Sequence, residues 1–184
     1  MDRIRNGAGA RMNDDVMKSL EIDVHDQKTG LKIAAERLSM VRYVFLVQIE
    51  DGIASAEQRA SLEYADAVLI GWPDVDSPEV ATLDEEQVRN LRQQMTLMEQ
   101  YVERFREMER EGDVDGMTDT LIRITERVAE VRRNFQPDFP LPTFAEIRRV
   151  VQDEWDEEMN AIDPQQDNPT AEQMERETES EDRA

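Results

Sequence analysis

The sequence predicts an all-α protein: a helical bundle of about five helices built around a long antiparallel helical hairpin, with a flexible N-terminal arm and an acidic C-terminal tail. Three observations carry that reading. Val88, Leu91, Met95, Met98, Val102 and Phe105 recur in steps of three and four, which places them on one stripe of a helix. Val114, Met117, Leu121, Ile124, Val128, Val131 and Phe135 repeat the pattern after the short polar break Glu111-Gly112-Asp113. Two helices joined by so short a connection fold back on each other. Finally, Ser and Thr residues followed three positions later by Glu or Gln mark several helix starts.

Taken in order, residues 1–30 read as an arm with a short strand signal, 31–162 as the helical domain and 163–184 as a disordered acidic tail. The arm carries Gly7, Gly9 and no periodicity, and its Arg3, Arg5 and Arg11 make it the most basic stretch of the chain. Leu20, Ile22 and Val24 alternate with Ser19, Glu21 and Asp23, a strand pattern, and residues 26–30 read as a turn ending at Gly30. From Leu31 the spacing of Ala34, Leu38, Val41 and Phe45 predicts a helix over 31–50. The β-forming run at 42–49 offers a rival strand there.

Asp51-Gly52 ends that helix, and Ser55 with Gln58 forms a capping box for the next, over 55–70, with Ala56, Ala60, Tyr64, Ala67 and Val68 inward. Gly71-Trp72-Pro73 stops it. Thr82 with Glu85 reads as the capping box of the long helix 83–111, and Asp113 as the cap of its return, 114–134. Pro137, Pro140 and Pro142 impose an extended linker around Phe139. Thr143 and Glu146 then open a last helix whose apolar face is Phe144, Ile147, Val151, Trp155 and Ile162. Beyond Pro164 almost nothing is apolar.

The charge balance narrows the function classes. With 22 Lys plus Arg against 43 Asp plus Glu, the net charge is −21. Such a field repels phosphate and so argues against direct binding of nucleic acid or an anionic membrane. Only three of the basic residues are Lys (Lys18, Lys28, Lys32). This composition resembles that of halophile proteins, although a GC-rich genome gives the same Arg bias. There is no Cys, so disulfides and thiolate chemistry are excluded. No apolar run approaches the roughly 20 residues of a membrane span, and the first residues lack the apolar core of a signal peptide. The expectation is a cytoplasmic protein, or one within a particle assembled in the cytoplasm.

Chemical constellations are sparse. His25 is the one histidine, and one histidine cannot supply the paired Glu-x-x-His motifs of a di-iron bundle or the two-His helix of a zinc protease. It reads as a surface or turn residue. Asp74, Asp76 and Glu79 could offer oxygens to a hard cation, but the remaining ligands are missing, and Ser77-Pro78-Glu79 fits the first turn of a short helix. Asp113-Val114-Asp115-Gly116 begins like a calcium loop and fails at Met117. There is no phosphate-binding glycine loop and no nucleophile elbow. No catalytic residue, cofactor or metal is therefore predicted.

What remains is the heptad seam. It serves either as internal core or, in part, as a coiled coil between subunits, and its Met95, Met98 and Met117 suit adaptable surfaces. Trp72, Phe139 and Trp155 are further places for a partner to dock. The sequence thus points to a non-enzymatic interaction protein, an adaptor, scaffold or structural component such as a phage or viral particle uses. Its expected partners are proteins, as a homo-oligomer or larger assembly. Two alternatives are an acidic DNA mimic that blocks a nucleic-acid-binding protein, and a divalent-metal carboxylate enzyme.

Overall fold

The computed structural model describes residues 8–78, 80 and 82–162, with side chains from Gln27 onward. Most of the expected arm's first stretch (1–7), the acidic tail (163–184), Glu79 and the side chain of His25 lie outside that description. Five helices follow in order: α1 (Ala8–Gln48), α2 (Ala56–Leu69), α3 (Glu85–Glu111), α4 (Val114–Phe135) and α5 (Phe144–Ile162). There is no strand among the described residues. The all-α class expected from periodicity is the observed one.

Helix α1 corrects two expectations, the strand and the turn, and bears out the helix expected from Leu31 over its rival strand. The residues of the expected strand at 19–24 and turn at 26–30 are parts of one helix, which crosses the boundary expected at residue 30 and continues through the 42–48 run to Gln48. A strand must find partners for its N–H and C=O groups, and three alternating apolar residues with no neighbouring strand cannot. A helix pairs those groups within itself. Gly30, taken as a turn residue, sits inside the helix facing α3: a Cβ there would stand 3.6 Å from the Leu91 side chain. The left-handed glycines of the described chain are instead Gly52, Gly71 and Gly112. Leu31, Ala34, Leu38, Val41 and Phe45 all face the core as their spacing requires.

The caps explain where the other helices begin. Ser55 Oγ accepts from the Gln58 N–H at 3.1 Å, and Gln58 Oε1 accepts from the Ala54 N–H at 2.8 Å. The α3 cap is Asp84 and not Thr82. Asp84 Oδ1 accepts from the Gln87 N–H at 2.8 Å, and Gln87 Oε1 accepts from the Asp84 N–H at 3.0 Å. The reason is Leu83: it is buried, and with Val88 it occupies the two positions of a hydrophobic staple around Asp84. At the far end of α3, Gly112 is left-handed (φ 70°). Its N–H donates to Glu109 O and that of Asp113 to Met108 O, the paired bonds of a Schellman ending. Asp113 Oδ1 at once caps α4 by accepting from the Gly116 N–H at 2.8 Å. Thr143 and Glu146 cap α5 reciprocally, as their spacing predicts.

Helices α3 and α4 run antiparallel. Asn134 Nδ2 donates to Asn90 Oδ1 at 2.9 Å and Arg127 Nη1 to Gln94 Oε1 at 3.0 Å, so the numbering rises on one helix as it falls on the other. Helix α1 runs parallel to α3, because Gly30 meets Leu91 while Arg37 Nε donates to Glu99 Oε1 at 2.8 Å. Arg42 on α1 bonds Asp66 on α2 across the short 49–55 connection. The result is an up-down-up-down bundle in which α4 packs on α1, α2 and α3. Helix α5 lies outside, mainly on α2, and only Val151 of its 19 residues is fully buried. Ile162, expected on its apolar face, is 76% exposed because the last turn of α5 extends beyond that contact. No helix among the described residues is long and apolar enough to cross a membrane.

The Gly30 position gives a direct test. With a helical φ and an added methyl group meeting Leu91 only at ordinary van der Waals distance, 3.6 Å, Gly30→Ala is expected to stabilise the protein by about 0.5–1 kcal/mol in urea unfolding. A loss of stability would restore the turn.

Candidate functional site

The seam proposed from sequence points inward within one chain. Leu91, Met98, Val102, Phe105, Met117, Leu121, Ile124 and Val128 are all buried in a single core cluster, and Val88 and Met95 pack half-buried against it. Those eight buried side chains are already in contact with α1, α2 and the opposing hairpin helix, so they offer no free face to a second subunit. Trp155 is half-buried beside Ala56, Ala60 and Val151, where it helps hold α5 to α2.

Trp72 and Phe139 come together around a residue that sequence reasoning missed, Arg132. Its side chain is fully buried. Its Nη1 donates to Val68 O and Ile70 O, and its Nη2 to Gly71 O, each at 2.7 Å. Its Nε donates to Gln136 Oε1 at 3.1 Å. The guanidinium lies 3.7 Å from the Phe139 ring centroid and 5.5 Å from that of Trp72. Burial pulls its pKa below the usual arginine value, yet a guanidinium remains charged. The partners are main-chain carbonyls at the C-terminal end of α2, where the helix dipole presents partial negative charge. Two aromatic faces add cation–π attraction.

This cluster ties together the ends of α2 and α4, the 70–84 loop and the proline linker. Helical spacing does contain a trace of it. Thr118, Ile122, Thr125, Ala129 and Arg132 form a second buried stripe beside the seam of α4. An arginine at the end of such a stripe is the one available signal; the three carbonyls that receive it come from residues more than 60 positions away.

The acidic candidates have structural partners. Asp74 Oδ1 accepts from the Asp76 N–H at 3.1 Å, and Asp76 pairs with Lys28 at 3.6 Å. Asp113 is the cap of α4. Among the described residues no three His, Asp or Glu side chains converge as a metal site. At the outer face, Arg59 on α2 bonds Glu63 and reaches Glu154 and Glu158 on α5, at 3.2, 3.4 and 3.0 Å. Tyr64 packs its ring against Phe144 with centroids 5.7 Å apart. Burial, with Glu126 adding to it, pushes the Tyr64 phenol up to about 12.

Comparison with protein-family models, with curated proteins and with solved structures finds no match to this chain.

Two outcomes follow from the geometry. Arg132→Met keeps the stem and removes the donors, leaving three carbonyls of the α2 end unpaired. It is expected to cost about 3–5 kcal/mol by denaturant unfolding and to shift the emission of Trp72; a loss under 1 kcal/mol would show that the cluster is incidental. Tyr64 has a folded pKa above its ordinary value of 10, so its contribution is complete below pH 10 and is lost as pH rises towards 12. Stability should fall by up to about 1.4 kcal/mol per pH unit across that window. Tyr64→Phe should flatten the fall, as read from thermal midpoints between pH 9 and 12.

Proposed function

We propose that the protein is a non-enzymatic assembly component that joins other proteins through helical surfaces. The observation that supports this most directly is apolar side chains left outside the core in pairs one helical turn apart. Tyr43 and Val47 are 67% and 46% exposed on α1, and Met159 and Ile162 project from the end of α5. Single exposed apolar residues are ordinary on any surface, but neighbours on one helix face form patches that a partner can cover. The net charge of the chain, −21, keeps such patches from aggregating without specificity.

The reading fits an adaptor, scaffold or structural part of a larger particle. Its site would be these outer faces rather than the hairpin seam, which the core consumes. Light scattering coupled to gel filtration, at low and at molar salt, tests it. A discrete oligomer, or a stoichiometric complex with a protein partner, is the expected result. A monomer in both conditions that co-purifies with no protein partner would overturn it.

A further inference from the structure

Helix α5 is held to the bundle by its apolar side and opposed by its charge. The docked face is small. Phe144, Ile147, Val151 and Trp155 pack against Ala56 and Ala60 of α2, and Phe144 also meets Tyr64. Val151 alone is fully buried. The two helices run antiparallel, since Phe144 lies at Tyr64 while Glu158 reaches back to Arg59.

The charges that this packing brings together are mostly of one sign. From Gln152 to Ile162, α5 carries Asp153, Glu154, Asp156, Glu157 and Glu158 and no cation. The part of α2 alongside carries Glu57 and Glu63, with Arg59 between them. Seven carboxylates therefore share one arginine, which bonds Glu63, Glu154 and Glu158. Exposed pairs of that kind contribute little. Asp153 and Glu157 are exposed and fall on the side of the helix away from Val151. The sequence that follows α5 adds to the excess, with eight acids in 163–184 against Arg176 and Arg183. Like charges this close repel within the roughly 10 Å screening length of dilute salt, and that length shrinks to about 3 Å at 1 M.

The linker allows α5 to move without the rest. Phe139 is fixed over Arg132, and Leu141 packs on the core. The anchored path ends there, so Pro142 and Thr143 are the points about which α5 can swing. Its departure uncovers Ala56, Ala60 and part of Tyr64 on α2, while the Arg132 cluster and the contacts of α4 with α1, α2 and α3 stay in place.

We propose that α5 is a salt-closed arm: repulsion among the carboxylates of its outer half and those of α2 lifts it from the bundle at low ionic strength, and screening returns it. The lifted state exposes Ile147, Val151 and Trp155 together, an apolar face that the closed form hides. The closing force is apolar contact, and ionic strength sets how strongly charge works against it. This device is independent of the assembly reading, because it needs no partner.

Thiol labelling is the test. Val151→Cys places a single thiol, covered until α5 lifts, in a chain with no other cysteine. Its rate of alkylation by uncharged iodoacetamide reads the opening. Ala129→Cys on α4 is the reference, since that buried position is reached only when the bundle itself opens. At low salt the Val151→Cys thiol should react at least about tenfold faster than the reference, and molar sodium chloride should slow it by about tenfold. Adding Asp153→Asn/Glu157→Gln should give the slow rate already at low salt. Arg59→Gln should speed labelling while the thermal midpoint of the bundle is unchanged. Hydrogen exchange of the α5 amides in the parent chain should show the same salt dependence, which removes any effect of thinning the contact at Val151. Equal labelling of the two thiols would overturn the proposal, because α5 would then open only with the bundle. So would α5 amides indifferent to salt in the parent chain. A salt effect kept in full by Asp153→Asn/Glu157→Gln would also overturn it, by assigning the effect to strengthened apolar packing rather than to charge.

Discussion

Burying α4 on two adjacent stripes is the constraint on which the rest of the structure depends. Its seam, from Met117 to Phe135, needs α3 and α1 as cover, and the neighbouring stripe, from Thr118 to Arg132, needs α2. A helix buried that widely cannot sit at a surface, so it becomes the axis of the bundle. The three threonines it carries inward do not leave polar atoms stranded. Thr118, Thr120 and Thr125 donate their hydroxyls to the carbonyls of Val114, Gly116 and Leu121, one turn back. Helices α1, α2 and α3 arrange themselves around this one.

Arg132 closes the lower end of that arrangement. A positive charge in the core is tolerated because every direction it faces supplies compensation: three carbonyls at the negative end of α2, the Gln136 amide and two aromatic faces. The same contacts set the path of the chain. Trp72 and Phe139 are drawn in, so the 70–84 loop and the proline linker both leave the bundle from fixed points, and the linker delivers α5 to the outer face of α2. There the packing is thin: Val151, Phe144, Ile147 and Trp155 supply the apolar contact, and the exposed Arg59 fork to Glu154 and Glu158 adds little to it. Stability thus declines outward, from α4 to α5.

Periodicity made the helices legible, because a side chain's burial follows directly from its place on a 3.6-residue repeat. The hairpin turn and the α5 cap were equally legible, since both are local in sequence. Failures arose where a local pattern met a longer-range demand. Thr82 is as good a cap as Asp84 until Leu83 is drawn into the core. Leu20, Ile22 and Val24 alternate like a strand, but no second strand exists to pair with them among the described residues. Trp72 and Phe139 look like docking residues because nothing in the sequence connects them to Arg132, some 60 and 7 positions away. The seam was ambiguous for a related reason: a heptad stripe reads the same whether its partner is the next helix or another chain, and it is the packing of this bundle that shows most of the stripe covered by its own helices.

Native-state hydrogen exchange across the described helices tests the central claim most directly. If α4 is the axis, the amides between Leu121 and Val131 should exchange only through global unfolding, while those of α5 exchange through local opening at a much lower free energy. Amides of α4 exchanging as readily as those of α5 would contradict the account.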